Sequence, residues 1–178
     1  HLLTVDPQRG IRIRPHWGID PDKEIRFPRD DDYVAAFTEL FDRVVNDHLR
    51  SAGPVGMFMS GGLDSSSVAV TAAKLLSEQG ETLSAFTEVP RAGFDGPVLQ
   101  GRYADETPFV HAIAQRCRNL EATAVHTDGR HFLEDTEALF EASETVFPNA
   151  SNRVWWEAIL QRAQQRGVCT LLTGDAGN

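Results

Sequence analysis

The stretch 55–67, Val-Gly-Met-Phe-Met-Ser-Gly-Gly-Leu-Asp-Ser-Ser-Ser, constrains this chain more than any other. Five apolar or small residues run into a Ser-Gly-Gly turn. The segment from Ser65 onward, which continues Val-Ala-Val-Thr-Ala-Ala-Lys-Leu-Leu, reads as a helix with a hydroxyl-rich first turn. A strand, a glycine turn and a helix N-terminus in that order gather unpaired backbone N–H groups and the positive end of a helix dipole at one point. Such a junction favours an anion, above all a phosphate.

The rest of the chain alternates in the same way. Residues 1–14 read as a short hairpin around Asp-Pro-Gln-Arg-Gly at 6–10, and 15–32 as an irregular linker rich in Pro, Asp and Arg. In 33–50 the apolar residues Phe37, Leu40, Phe41, Val44 and Val45 follow helical spacing, with capping carboxylates at 30–32. The helix 65–79 ends at Gly80, a left-handed cap, and strands follow at 82–89, 122–127 and 168–173. Helices are expected from Asp105 to about Arg118, over 131–144 and over 153–166. Residues 91–104, with three glycines, read as a mobile loop, either an active-site lid or plain surface. The strand runs are short and apolar, as in parallel strands covered on both sides. The fold class is therefore α/β, with helices on both faces and right-handed crossovers. Ligands in such sheets sit at the carboxyl ends of the strands, which puts the Ser60 turn, residues 87–89 and the Gly174 turn on one rim.

Charge and cysteine content close off other classes. The net charge of -9, with 17 Lys and Arg scattered along the chain, argues against a nucleic-acid surface. Cys117 and Cys169 lie far apart with no CxxC, which suits thiols in a reducing compartment. With neither a leader nor a spanning stretch visible, a cytoplasmic protein without a membrane partner is expected. The start at His1 and the end at Asn178, just after a hydrophobic run, read as a piece of a longer protein.

Neither G-x-x-x-x-G-K-[ST] nor G-x-G-x-x-G occurs. The turn Ser60-Gly61-Gly62-Leu63-Asp64-Ser65-Ser66 offers N–H groups and hydroxyls, with a carboxylate at its centre. That carboxylate repels phosphate unless a cation lies between them, so Asp64 implies magnesium bridging to phosphate oxygens. Read alone, the same residues are also compatible with a tight turn and a capping Asp. His126 and His131 have no partner pattern for a metal, and Trp155 and Trp156 read as packing anchors.

Met59-Ser60-Gly61-Gly62-Leu63-Asp64-Ser65-Ser66 resembles the pyrophosphate-binding loop of the N-type ATP pyrophosphatases. Together with Asp105-Glu106 opening a helix and Leu171-Leu172-Thr173-Gly174-Asp175-Ala176-Gly177 after the helix carrying both tryptophans, it resembles the synthetase domain of glutamine-dependent asparagine synthetases. Residues 1–17 are similar to the segment that joins their glutaminase and synthetase domains. The resemblance implies a Rossmann-like sheet of the adenine nucleotide alpha hydrolase type, with 1–32 as the joining segment and 33–178 as a partial synthetase domain. It also implies a reaction: a carboxylate, aspartate in the family, is adenylated by ATP, and ammonia from a glutaminase domain displaces AMP to give the amide. On that pattern Ser60, Gly61, Gly62, Leu63, Asp64, Ser65 and Ser66 hold the pyrophosphate, and main chain around Glu88 faces the adenine. Thr173 and Gly174 close over the nucleotide, and Asp175 helps remove a proton from the amine.

Asn178 departs from that pattern. It stands where the family has an Asp that shares magnesium with the residue matching Asp64, and its amide can ligate the metal but lacks the charge. The helical lobe that follows in the family, with a lysine that stabilises pyrophosphate, lies beyond Asn178, so these residues alone are expected to bind nucleotide weakly without turnover. Two alternatives stay open: a β-lactam or macrolactam cyclase of the same family, and a non-catalytic nucleotide-binding fragment. A homodimer is compatible with all three.

Overall fold

The structure, a computed structural model, describes residues 1–127, 129–145 and 149–175. It divides into two units, His1–Thr38 and Glu39–Asn178.

The first unit begins with β1 (Leu2–Asp6) and β2 (Gly10–Arg14), an antiparallel pair in which Leu3 faces Ile13 and Val5 faces Ile11. Its turn is fixed by Asp6, whose Oδ1 accepts the N–H groups of Gln8 and Arg9 at 2.8 Å each. Gly10 closes it at φ +74°, where a side chain would be strained. Helix α1 (Asp30–His48) starts three residues earlier than the spacing predicts, so Asp30, Asp31 and Asp32 form its first turn, where the dipole favours negative charge.

The second unit is built on β3 (Val55–Phe58), β4 (Leu83–Glu88), β5 (Leu120–Val125) and β6 (Thr170–Leu172), all parallel, in the order β5-β4-β3-β6. Numbered from β3, this is the 3-2-1-4 order of doubly wound sheets, and it reverses between β3 and β6. The connecting helices are α2 (Leu63–Glu78), α3 (Thr107–Ala114), α4 (Thr136–Ser143) and α5 (Ala150–Gln165). One core cluster joins Met57, Leu83 and Ala85 of the sheet to Val45, Leu76 and Val110; a second joins Phe86 and Val125 to Ile159 and Ala163 of α5. Both faces are therefore covered, and full burial of a side chain such as Leu76 contributes about 1.5–3 kcal/mol. Ala69, Ala72 and Ala73 are completely buried, and their small side chains let α2 lie close on the strands.

The α/β class, the four parallel strands and the left-handed cap at Gly80 (φ +74°) follow the sequence expectations. Besides α1, the helix expected over 153–166 also starts early, at Ala150, where Asn149 caps it by accepting the Asn152 N–H, and two further elements differ. The third helix stops at Ala114 instead of near Arg118, because β5 starts early, at Leu120, to pair with Leu83. The helix expected over 131–144 covers only Thr136–Ser143. Its first turn is lost because the Phe132 and Glu134 carbonyls are drawn to the buried guanidinium of Arg153. Residues 91–104 are irregular, as expected. Among the described residues no helix is long and apolar enough to cross a membrane.

Candidate active site

The first half of the site is a turn that binds itself. Met59 still donates its N–H to the Phe86 carbonyl at 2.9 Å, so the chain leaves the sheet only at Ser60. The Ser65 hydroxyl, almost fully buried, is the pin: it lies 2.8 Å from the Ser60 hydroxyl, accepts the Ser60 N–H at 3.2 Å and reaches the Ser60 carbonyl at 3.2 Å. Gly62 donates to the Ser60 hydroxyl at 3.2 Å, and the Ser66 hydroxyl reaches the Ser60 carbonyl at 3.5 Å. Helix α2 begins with Gly62 as an extended N-cap that supplies no side-chain bond. The N–H groups of Leu63, Asp64 and Ser65 have no hydrogen-bond partner among the described residues, and they point out of the helix start as anion donors. Asp64 is exposed and makes no ion pair among the described residues. A free carboxylate beside free N–H groups fits magnesium, an ion held by one or two carboxylates with the rest of its shell from phosphate and water.

The second half comes from β6. Because β6 runs parallel to β3, with Val55 opposite Thr170, the turn after Leu172 arrives beside the turn after Phe58. Gly174 meets the helix start directly. A Cβ on Gly174 would lie 2.6 Å from both Cα and N of Ser65, which only a glycine avoids. Thr173 and Asp175, on either side of Gly174, are exposed. The two motifs thus flank the point where strand order reverses, the usual ligand crevice of such a sheet. Asn178 lies outside the described residues.

Glu106 has a role that its sequence position, at the head of a helix, did not reveal. Its carboxylate accepts the Gly61 N–H at 2.9 Å across 45 residues of chain and holds one amide of the turn in place. The turn also packs tightly on α3, since a Cβ on Gly61 would lie 2.9 Å from Cβ of Phe109. The acidic pair before Thr-Pro was the available signal. Asp105 accepts the Thr107 N–H at 2.9 Å; hydrogen bonding from the Thr107 side chain and backbone holds its carboxyl below the usual range. The Thr107 hydroxyl itself lacks hydrogen-bond geometry, so the backbone bond is the firmer of the two contacts. Glu88, at the end of β4, has an exposed side chain, but partial desolvation of its carboxyl, and after it the charge of Glu106, push its pKa up.

Beyond Glu88 a cavity of about 810 Å³ opens over Val89 and Pro90, walled by Phe94, Leu99, Phe132 and Trp155. Its far side is held by a buried ion network that composition does not disclose. Arg153, 3% exposed, pairs with Glu157 at 2.5 Å and bonds the carbonyls of Phe132 and Glu134. Arg130 pairs with the same Glu157 at 2.7 Å. Trp156 stacks on Phe58 with ring centres 4.8 Å apart, a packing anchor as expected. His131 stacks on Phe132 at 4.6 Å, and its Nδ1 accepts the Leu133 N–H at 3.2 Å. Another hollow, about 950 Å³, lies at the opposite, amino edge of the sheet near Arg50, Pro54 and Glu81, away from the ligand rim.

The sequence is similar to those of known proteins. The chain is 26% identical over its whole length to an amidase, chry2, of Gibberella zeae, and 25% identical to the amidase chyE of Penicillium rubens, covering 27% of each. It is 36% identical, over 46% of its length and 13% of the relative, to asparagine synthetase [glutamine-hydrolyzing] 3 of Bacillus subtilis. It spans about a quarter or less of these curated relatives. Among solved structures, a U34-tRNA thiolase, NcsA, of Methanococcus maripaludis with its [4Fe-4S] cluster superposes with a TM-score of 0.48 at 21% identity, covering 79% of this chain and 45% of the thiolase. The profile of the family described as Asparagine synthase matches residues 36–178, which takes in both turns and the whole sheet, and the chain belongs to that family.

Proposed function

We propose that this chain is the nucleotide-binding part of an ATP-dependent amide-forming ligase that adenylates a carboxylate and passes the acyl group to ammonia. The observation that carries the reading is the seating of Gly174 on the Ser65 backbone, which joins two motifs 109 residues apart into one crevice lined with free N–H groups. Membership of the asparagine synthase family supports it.

In this reading a carboxylate oxygen attacks the α-phosphorus of ATP, the bond to the β-phosphate bridging oxygen breaks, and pyrophosphate leaves with the electron pair. The N–H groups of Leu63, Asp64 and Ser65 receive the leaving charge, which grows toward the helix N-terminus. Asp64 would hold magnesium, which neutralises charge on the pyrophosphate oxygens. Ammonia then attacks the acyl carbon, AMP departs, and Asp175 takes the proton that the new amide nitrogen must lose. Thr173 and Gly174 cover the nucleotide, and main chain beside Glu88 faces the base.

Carboxylate-dependent ATP–pyrophosphate exchange in the full-length protein that carries these residues tests this, with aspartate as the first acid and product analysis in the presence of ammonium. AMP and pyrophosphate are the expected products. Release of ADP and phosphate, or ATP that does not bind, overturns the reading.

A further inference from the structure

The cavity beyond β4 meets the nucleotide site proposed above at Glu88, whose main chain faces the base, while its aromatic and aliphatic walls lie outside the cradle. Two tight turns shape the loop that roofs it. Phe94 donates its N–H to the Arg91 carbonyl at 3.1 Å, and Arg102 donates to the Leu99 carbonyl at 3.0 Å. Gly93 and Gly101 take left-handed φ values of +72° and +78° inside these turns. Arg91 thus opens the first turn and Arg102 closes the second, and both line the cavity. Neither guanidinium has an ion-pair partner among the described residues, and both are exposed.

The walls are largely apolar. Leu99 is 79% exposed, and Phe94 and Phe132 are 43% and 41% exposed, an arrangement that soluble proteins rarely leave uncovered without a ligand. Trp155 completes the wall from α5. A hollow of about 810 Å³ is the size that takes a ligand with a substantial body, far larger than a four-carbon amino acid needs. The cavity also adjoins the cradle. Its floor residue Glu88 lies within the field of Glu106, and Glu106 holds the Gly61 N–H.

We infer that this cavity selects the acyl substrate, and that the acid adenylated here carries a large apolar or aromatic body in place of the short polar side chain of aspartate. This rests on the ligase reading for the fate of the acid. The body lies against Phe94, Leu99, Phe132 and Trp155, and the carboxylate is received at the mouth by Arg91 and Arg102, which suit it as fork-shaped donors. The upward push on the Glu88 carboxyl reduces like-charge repulsion against an incoming acid. Aspartate has no apolar body and would leave Phe94, Leu99, Phe132 and Trp155 uncovered.

The test uses 3-phenylpropanoate as the probe, titrated into the nucleotide-free full chain and followed by tryptophan fluorescence and saturation-transfer NMR. Aspartate and magnesium ATP serve as competitors. The expected result is binding that weakens about 10-fold in R91Q/R102Q, the loss of ~1.4 kcal/mol, with no competition from aspartate and none from ATP. Magnesium ATP affinity stays unchanged in the double variant, whose substitutions lie on exposed side chains. Three results overturn the inference: aspartate binding as tightly as the probe, a double variant that binds the probe like the parent, or displacement of the probe by ATP alone, which would make the cavity the seat of the base. If ATP fails to bind while the probe binds with the expected arginine dependence, the ligase reading falls and the acid site stands.

Discussion

The anion cradle and the apolar cavity lie at the carboxyl ends of adjacent strands, yet they are made of different materials. The cradle is main chain: its donors are backbone N–H groups, and its shape depends on Gly61, Gly62 and Gly174 lying where no Cβ fits or is wanted. The cavity is side chain: aromatic and aliphatic walls, two arginines in the lining, and an ion network behind Phe132. A backbone-built site admits little change, because at Gly174 a single Cβ collides with the Ser65 main chain, which cannot move aside. A side-chain-built site can change its walls residue by residue while the sheet remains, which suits a common reaction applied to differing acids.

Breaking the cradle should have the largest effect. Gly174→Val puts a branched side chain where even a Cβ would be 2.6 Å from the Ser65 backbone. Magnesium ATP affinity should fall by about 200-fold or more, ~3 kcal/mol, as read by calorimetric titration. An unaltered affinity in Gly174→Ala would mean that the two turns do not meet. Breaking the support behind the cavity should act on folding more than on the nucleotide. Arg153→Leu leaves two carbonyls without their donor and Glu157 with Arg130 alone, so urea unfolding should show a loss of about 2 kcal/mol. ATP affinity of the folded variant should be unchanged, and binding of the aromatic acid should weaken as Phe132 loses its anchor. A matching loss of both ligands would erase the distinction between the two regions.

The same contrast explains how far the sequence could be read. The cradle was legible because its residues are contiguous: Ser60 to Ser66 declare a strand, a turn and a helix start within a few positions. The Thr173-Gly174-Asp175 turn was legible as a second motif, although its contact with Ser65 needed the parallel register of β6 on β3. Glu106 was visible as the head of a helix but not as the acceptor for Gly61, since nothing local announces a bond across 45 residues. Arg153 was further from view. On a helix of ordinary polarity it reads as a surface cation, and only the fold shows that it is buried and reshapes the start of α4. The loop 91–104 has no period, so its two turns, and the arginines they bring to one cavity, emerge only in three dimensions.

A smaller effect sharpens the link between the regions. Glu106→Ala removes the acceptor of the Gly61 N–H and frees that end of the turn, so ATP should bind about 5-fold more weakly, ~1 kcal/mol. Glu106→Gln keeps an acceptor oxygen and should recover most of this. Equal losses in both variants would show that the charge, and not the placing of the turn, is what matters there.

The smallest effect is read by its sign. Glu88 is pushed up by burial first and by Glu106 second, so the folded state holds its proton more tightly than the unfolded chain does. As pH rises through the unfolded value near ~4.3, the unfolded carboxyl ionises first, and the folded state loses stability until its own raised value is passed. Glu88 therefore costs stability at neutral pH and costs none at low pH, where both states are protonated. Glu88→Gln should be more stable than the parent at pH 7, with the gain disappearing toward about pH 3.5, as urea midpoints at the two pH values will show. In a Glu106→Gln background the gain should shrink, because the second cause has been removed while burial remains. A gain that is the same at both pH values would assign it to packing in the cavity floor, and would sever the electrostatic connection between the acid cavity and the cradle.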